Sequence, residues 1–129
     1  MPVRQLRLVV LADEFDAALA FYRDVLGMPE AEAVSSPGGR IAILDAGRAT
    51  LELTDRPHGE YIDQVEVGRR VAGHIRVALE VEDATTATAA AVGAGATLIA
   101  APTVTPWNSL NSRLDGPAGL QLTLFQEMA

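Results

Sequence analysis

The sequence predicts an α+β fold: two βαβββ modules whose strands make one curved mixed sheet around a cup, with helices on the outer face. Three observations predict it. The stretch Asp13 to Pro29 reads as one amphipathic helix. The order strand, helix, strand, strand, strand occurs twice along the 129 residues. Both halves end on an alternating strand with a polar residue between leucines, Leu51-Glu52-Leu53-Thr54 and Leu120-Gln121-Leu122-Thr123.

The first module spans about residues 3–55. Arg4 to Leu11 is β-rich and short, with Gln5, Arg7 and Val9 on one face and Leu6, Leu8 and Val10 on the other. In the helix that follows, Phe15, Ala18, Leu19, Tyr22 and Leu26 share a face at the helical period. Asp13 is placed to cap its start. Gly27 and Pro29 stop it, one by adopting a left-handed conformation and one by refusing to continue. Ala31 to Ser35 is a candidate strand, Ser36-Pro37-Gly38-Gly39 a turn, and Arg40 to Asp45 with Ala49 to Thr54 a hairpin around Ala46-Gly47.

A polar connector, 56–73, carries Pro57, Gly59, Gly68 and Gly73 as breakers, with a short arm of undecided kind over Tyr61 to Val67. The second module spans about 74–126. In His74 to Val81, residues Ile75, Val77, Leu79 and Val81 alternate with His74, Arg76, Ala78 and Glu80. Asp83 caps an Ala-rich helix ending at Gly93. Ala96 to Ala100 is a short strand, and Asn111 to Asp115 and Leu120 to Phe125 pair around Gly116-Pro117-Ala118-Gly119. Arg7 and Glu52 lie 45 positions apart, His74 and Gln121 lie 47 apart, so these are matched as equivalent positions of the two modules.

Composition narrows the function. Hydrophobic residues at 49% suffice for a core. Ten Lys plus Arg against seventeen acids give a net charge of −7, which argues against nucleic acid as a partner and mildly favours neutral or cationic ligands. No cysteine is present, so disulfides, thiolate metal sites and a cysteine nucleophile are excluded. The Ala-rich run from Ala84 to Ala101 is broken by Gly93 and Gly95 and reads as a helix and turn, not a membrane span. With no signal-like apolar segment ahead of the first acids, a cytoplasmic protein is expected.

The run Phe21-Tyr22-Arg23-Asp24-Val25-Leu26-Gly27-Met28, then Leu51-Glu52-Leu53, Gly73-His74-Ile75 and Asp115 to Leu122, resembles the vicinal oxygen chelate superfamily over about Val3 to Gln126. That superfamily includes glyoxalase I, methylmalonyl-CoA epimerase, extradiol dioxygenases and the fosfomycin and bleomycin resistance proteins. The resemblance implies paired modules around a cup, commonly a divalent metal at its floor, and a homodimer. It places the family's metal positions on Arg7, Glu52, His74 and Gln121. Glu52 and His74 match the pattern; Gln121 and Arg7 depart from it.

Arg7 is the most telling departure. A guanidinium has no lone pair for a cation. It would compete with a metal for Glu52, pair with Glu52 in place of the metal, or turn outward. Glu52, between two leucines, is the one carboxylate among the four positions and the candidate base. His74 reads as cavity-facing by resemblance; taken alone, a strand-end histidine bonds to backbone more often. Gln121 can hydrogen-bond but cannot move a proton. Arg76 and Glu80 share the face of His74, and line the cup or pair at its rim. Trp107 lies in a loop where it either stacks on a flat ligand or plugs a contact. His58 reads as surface loop, and Arg113 and Asp115 as supports of the last hairpin.

The expectation is thus a small-molecule-binding protein of the bleomycin-resistance-like, metal-poor type, its ligand held by Arg7, Glu52, His74, Arg76, Trp107 and Gln121. The alternative is a metal-dependent lyase, epimerase or isomerase with Glu52, His74 and Gln121 as ligands.

Overall fold

The structure is a computed structural model that describes residues 2–25, 28–47, 49–116 and 120–129. Leu26 and Gly27, assigned to the end of the first helix, and 117–119 of the last turn lie outside them, as does the side chain of Tyr22. The strands are β1 (Gln5–Leu11), β2 (Glu30–Ser36), β3 (Gly39–Asp45), β4 (Thr50–Thr54), β5 (Ile75–Glu80), β6 (Thr97–Val104), β7 (Ser109–Asp115) and β8 (Gln121–Glu127). They form one mixed sheet in the order β2-β3-β4-β1-β5-β8-β7-β6. Each half repeats the same pairing: β1 is parallel to β4, and β5 is parallel to β8. The halves join where β1 meets β5 antiparallel, with Arg7 opposite Ala78 and Val9 opposite Arg76.

Alternation divides the sheet into two faces. On the outer face, α1 (Phe15–Leu19) closes a core of Phe15, Ala42, Leu44 and Leu53. In the second half α3 (Ala84–Gly93) closes Val81, Ala84, Leu114 and Leu124. Asp83 caps α3 as expected, its Oδ1 accepting the Thr86 amide at 3.1 Å. On the inner face the floor is Val9, Ala78 and Phe125.

Several expectations are corrected. The first helix is not one regular cylinder: after five residues it widens into a π-helical stretch, Ala20–Val25. Asp13 does not cap it. The cap position falls on Glu14, and the Asp13 carboxylate instead receives Arg56 Nη2 at 3.0 Å. Strand β6 runs on through Pro102 to Val104, because an edge strand with register shifts tolerates a residue that cannot donate.

The connector holds a third helix, α2 (Arg56–Glu66), and it lies against β3 and β7 on the cup side. Pro57 does not break it, since the first turn has no amide partners to lose. Asp55 is the cap, accepting the His58 amide at 3.0 Å. Gly39 permits the approach: a Cβ there would overlap the His58 backbone. His58 is therefore not surface loop. It is 4% exposed, with Nδ1 2.7 Å from Ser36 Oγ. Burial lowers its pKa from the usual histidine value, opposed by the charge of Asp55. Among the described residues no helix is long and apolar enough to cross a membrane.

Candidate functional site

The inner face encloses a cavity of about 560 Å3. The central strands supply its polar floor. Arg7 on β1 gives Nη1 to Glu52 Oε2 on β4 at 3.0 Å and Nη2 to Glu127 at 3.2 Å. Its Nε donates to Gln5 at 2.7 Å, and its guanidinium sits 5.0 Å from the centre of the Phe125 ring. Of the three readings for Arg7, the geometry selects the ion pair with Glu52.

The second half presents the same arrangement with different chemistry. Arg76 on β5 gives Nη1 to Thr123 Oγ1 on β8 at 2.6 Å. Arg7 reaches 45 positions along to β4, and Arg76 reaches 47 positions along to β8. Arg7 and Arg76 sit diagonally across the β1–β5 ladder, so Arg76 is the counterpart of Arg7 and Thr123 that of Glu52. Arg76 does not pair with Glu80.

This corrects the matching of His74 with Arg7 and of Gln121 with Glu52. Both residues lie one pleat too early on the same faces. His74 precedes β5, is exposed, and does not line the cavity. Its carbonyl accepts the Leu11 amide at 3.0 Å. Gln121 is held off the cavity by two bonds, accepting Arg113 Nη1 at 2.9 Å and donating to the Val71 carbonyl at 2.9 Å. Trp107 does line the cavity, 43% exposed, with its ring centre 6.4 Å from that of Tyr61.

Behind the cavity lies a charge network in which Arg113 is the hub rather than a hairpin support. Its fully buried guanidinium gives Nη1 to Asp63 at 2.7 Å and Nη2 to Glu66 at 2.9 Å. The other oxygen of Glu66 accepts Asn111 Nδ2 at 2.9 Å. Asp63 also accepts the amides of Val71 and Ala72, both at 2.9 Å. The network ties α2 and the rest of the connector to β7. Asp115, by contrast, is exposed at the strand end.

Sequence reasoning missed Tyr61, Ile62 and Glu66, which α2 turns toward the cavity, and Asn111 on β7. A signal was present for the first three. Asp55 followed by Pro57, then Tyr61, Ile62 and Val65 at helical spacing, describes a capped amphipathic helix.

The residues do not fit a divalent metal. The two counterpart pairs are guanidinium–carboxylate and guanidinium–hydroxyl, and guanidinium groups offer no lone pair. Glu52 is already engaged by Arg7. Among the described residues no three His, Cys, Asp or Glu side chains come together as a metal site.

Among solved structures, a hypothetical protein from Bacillus halodurans matches with a TM-score of 0.71 at 16% identity, covering 99% of this chain and 95% of that one. Methylmalonyl-CoA epimerase of Streptomyces coelicolor in complex with 2-nitronate-propionyl-CoA gives 0.69 at 18% identity, covering 99% and 100%. The same enzyme from Mycobacterium tuberculosis gives 0.66 at 17% identity, covering 98% and 88%. At these identities the likeness is one of fold. A comparison with curated proteins finds no match. The family model of the Glyoxalase/Bleomycin resistance protein/Dioxygenase superfamily matches residues 4–124. With two βαβββ halves joined through β1 and β5 around a common cup, and a family match over nearly the whole sequence, the chain belongs to that superfamily.

Proposed function

We propose that this protein binds a small organic molecule in its cup, through a charged floor that takes the place of a metal ion. One observation carries the reading: guanidinium groups, not cation ligands, stand at counterpart positions of both halves, Arg7 and Arg76, in one cavity. The cavity volume lies within the range of sites for small ligands. Arg7, Glu52, Arg76 and Trp107 are the contacts we assign; His74 and Gln121 drop out of the set because neither lines the cavity.

The test combines elemental analysis of protein purified without chelators with a thermal-shift and calorimetric screen of small molecules. Sub-stoichiometric metal together with ligands whose binding is weakened by Glu52→Gln supports the reading. Stoichiometric divalent metal, or no ligand at all, sinks it.

A second reading is an epimerase-like enzyme. It is favoured by the epimerases among the similar folds and by carboxylates that reach the cavity, Glu52 and Glu66 among them. Solvent-deuterium wash-in at the acidic carbon of an acyl thioester, lost in Glu52→Gln, would establish it.

For assembly we propose a cytoplasmic homodimer through the outer face of β1 and β5, where Leu6 and Ile75 are about half exposed. Light scattering of the wild type and of Leu6→Glu checks the dimer, and cell fractionation checks the location.

A further inference from the structure

The charges around the cup are not evenly matched. Glu52 and Glu127 accept from Arg7, and Glu66 accepts from Arg113. Each carboxylate that reaches the cavity thus contacts a guanidinium, with Glu52 and Glu127 sharing that of Arg7. Arg76 has no such contact: among the described residues its one hydrogen bond goes to the Thr123 hydroxyl, and Glu66, Glu52 and Asp63 act on its charge only from beyond ion-pair distance. Its side chain lines the cavity with 7% exposure for the whole residue. Among the described residues, no nitrogen of Arg76 is both sealed from the cavity and without a partner, so its remaining N–H groups open on that space. A buried guanidinium retains its charge and is costly until an anion meets it.

Above this floor the lining includes aromatic and aliphatic side chains among polar ones. Tyr61 and Trp107 line the cavity with ring planes tilted by 49°, and Ile41, Ile43 and Ile62 line it as well. Aromatic rings of this kind favour the face or edge of another ring.

Resting on the binding function proposed above, we infer that the ligand is a planar aromatic monocarboxylate, its carboxylate on Arg76 and its ring against Trp107 and Tyr61. Guanidinium and carboxylate match in shape and can bond through two parallel N–H groups. Arg76, which no carboxylate contacts among the described residues, can meet one carboxylate directly. A phosphate dianion would add repulsion from Glu52, Glu66 and Glu127. The net charge of −7 favours cations at long range, but the groups that touch the ligand decide its class.

Naphthoate is the probe, with neutral naphthamide, cyclohexanecarboxylate and naphthyl phosphate as its comparators. Trp107 is the sole tryptophan, so its fluorescence reports the cavity directly. Calorimetry gives the affinities. Naphthoate is expected to quench Trp107 and to bind at least about tenfold tighter than naphthamide or cyclohexanecarboxylate, and tighter than the phosphate. Trp107→Ala, at an exposed position, should keep the fold and weaken naphthoate by roughly three- to tenfold. Arg76→Met should abolish the preference for carboxylate over amide. Should that variant fail to fold, the amide comparison on the wild type still decides. Equal binding of naphthoate and naphthamide, or tighter binding of the phosphate, overturns the inference. If aromatic carboxylates fail but the wider screen yields neutral or cationic ligands sensitive to Glu52→Gln, the ligand class is wrong and the cup remains a binding site. If nothing binds, both readings fall.

Discussion

The two halves of the sheet share a backbone plan and differ in what they point inward. Next to the Arg7–Glu52 pair, β3 lines the cavity with Ile41 and Ile43; next to Arg76–Thr123, β7 lines it with Asn111 and holds Arg113 behind it. The connector helix α2 touches both sides and is held differently by each. The first half holds it by shape, through the bare backbone at Gly39. The second holds it by charge, through Asp63, Glu66 and Arg113. A repeated fold therefore need not repeat a site. Here the acids of α2 are taken up by Arg113 of the second half, and that leaves Arg76 facing the cavity with no contacting carboxylate among the described residues.

The strongest way to break this contrast is Arg113→Met. It strands two buried carboxylates, and a loss of about 3–5 kcal/mol is expected in urea denaturation. Arg7→Met, which disturbs a pair that lines the water-accessible cavity, should cost about 2 kcal/mol or less. Equal losses would erase the distinction between a structural network and a site. Next comes the side held by shape. Gly39→Ala forces the new methyl group into the His58 backbone, and about 2 kcal/mol is expected from overpacking. Hydrogen exchange should show α2 loosened first, and an unchanged rate there would argue that α2 does not depend on this contact.

Smaller is the effect of Thr123→Val. It removes the one acceptor of Arg76 among the described residues while water in the cavity can replace it, so about 1 kcal/mol is expected. Glu52→Gln on the other half offers the matched comparison. The smallest effect is a pH slope at His58. Its folded pKa is lowered, so the unfolded chain binds the proton more readily. Stability from this group is complete above about pH 6.5 and is lost as pH falls toward the depressed folded value, at under about 1.4 kcal/mol per pH unit. His58→Gln should flatten that slope; an unchanged slope would assign it to other groups.

Much of this was legible in the residues. Alternation put Arg7, Glu52 and Arg76 on the face where they line the cavity, and the turns at Gly38 and Gly47 fall where φ is positive, 77° and 84°. The register of the second half was not legible. Leu120-Gln121-Leu122 and Leu122-Thr123-Leu124 overlap in one strand, and either could match Leu51-Glu52-Leu53. His74–Gln121 and Arg76–Thr123 have the same separation, so spacing could not choose between them.

What the sequence determined by itself was the order of elements and the face each side chain takes, because strand and helix periods are local properties of the chain. Tertiary structure decided which of two like-facing residues reaches the cavity, and that α2 closes its side. A period of two tells inside from outside but not depth. Depth follows from where β5 stops against β1 and where Val71 and Gly39 meet their neighbours.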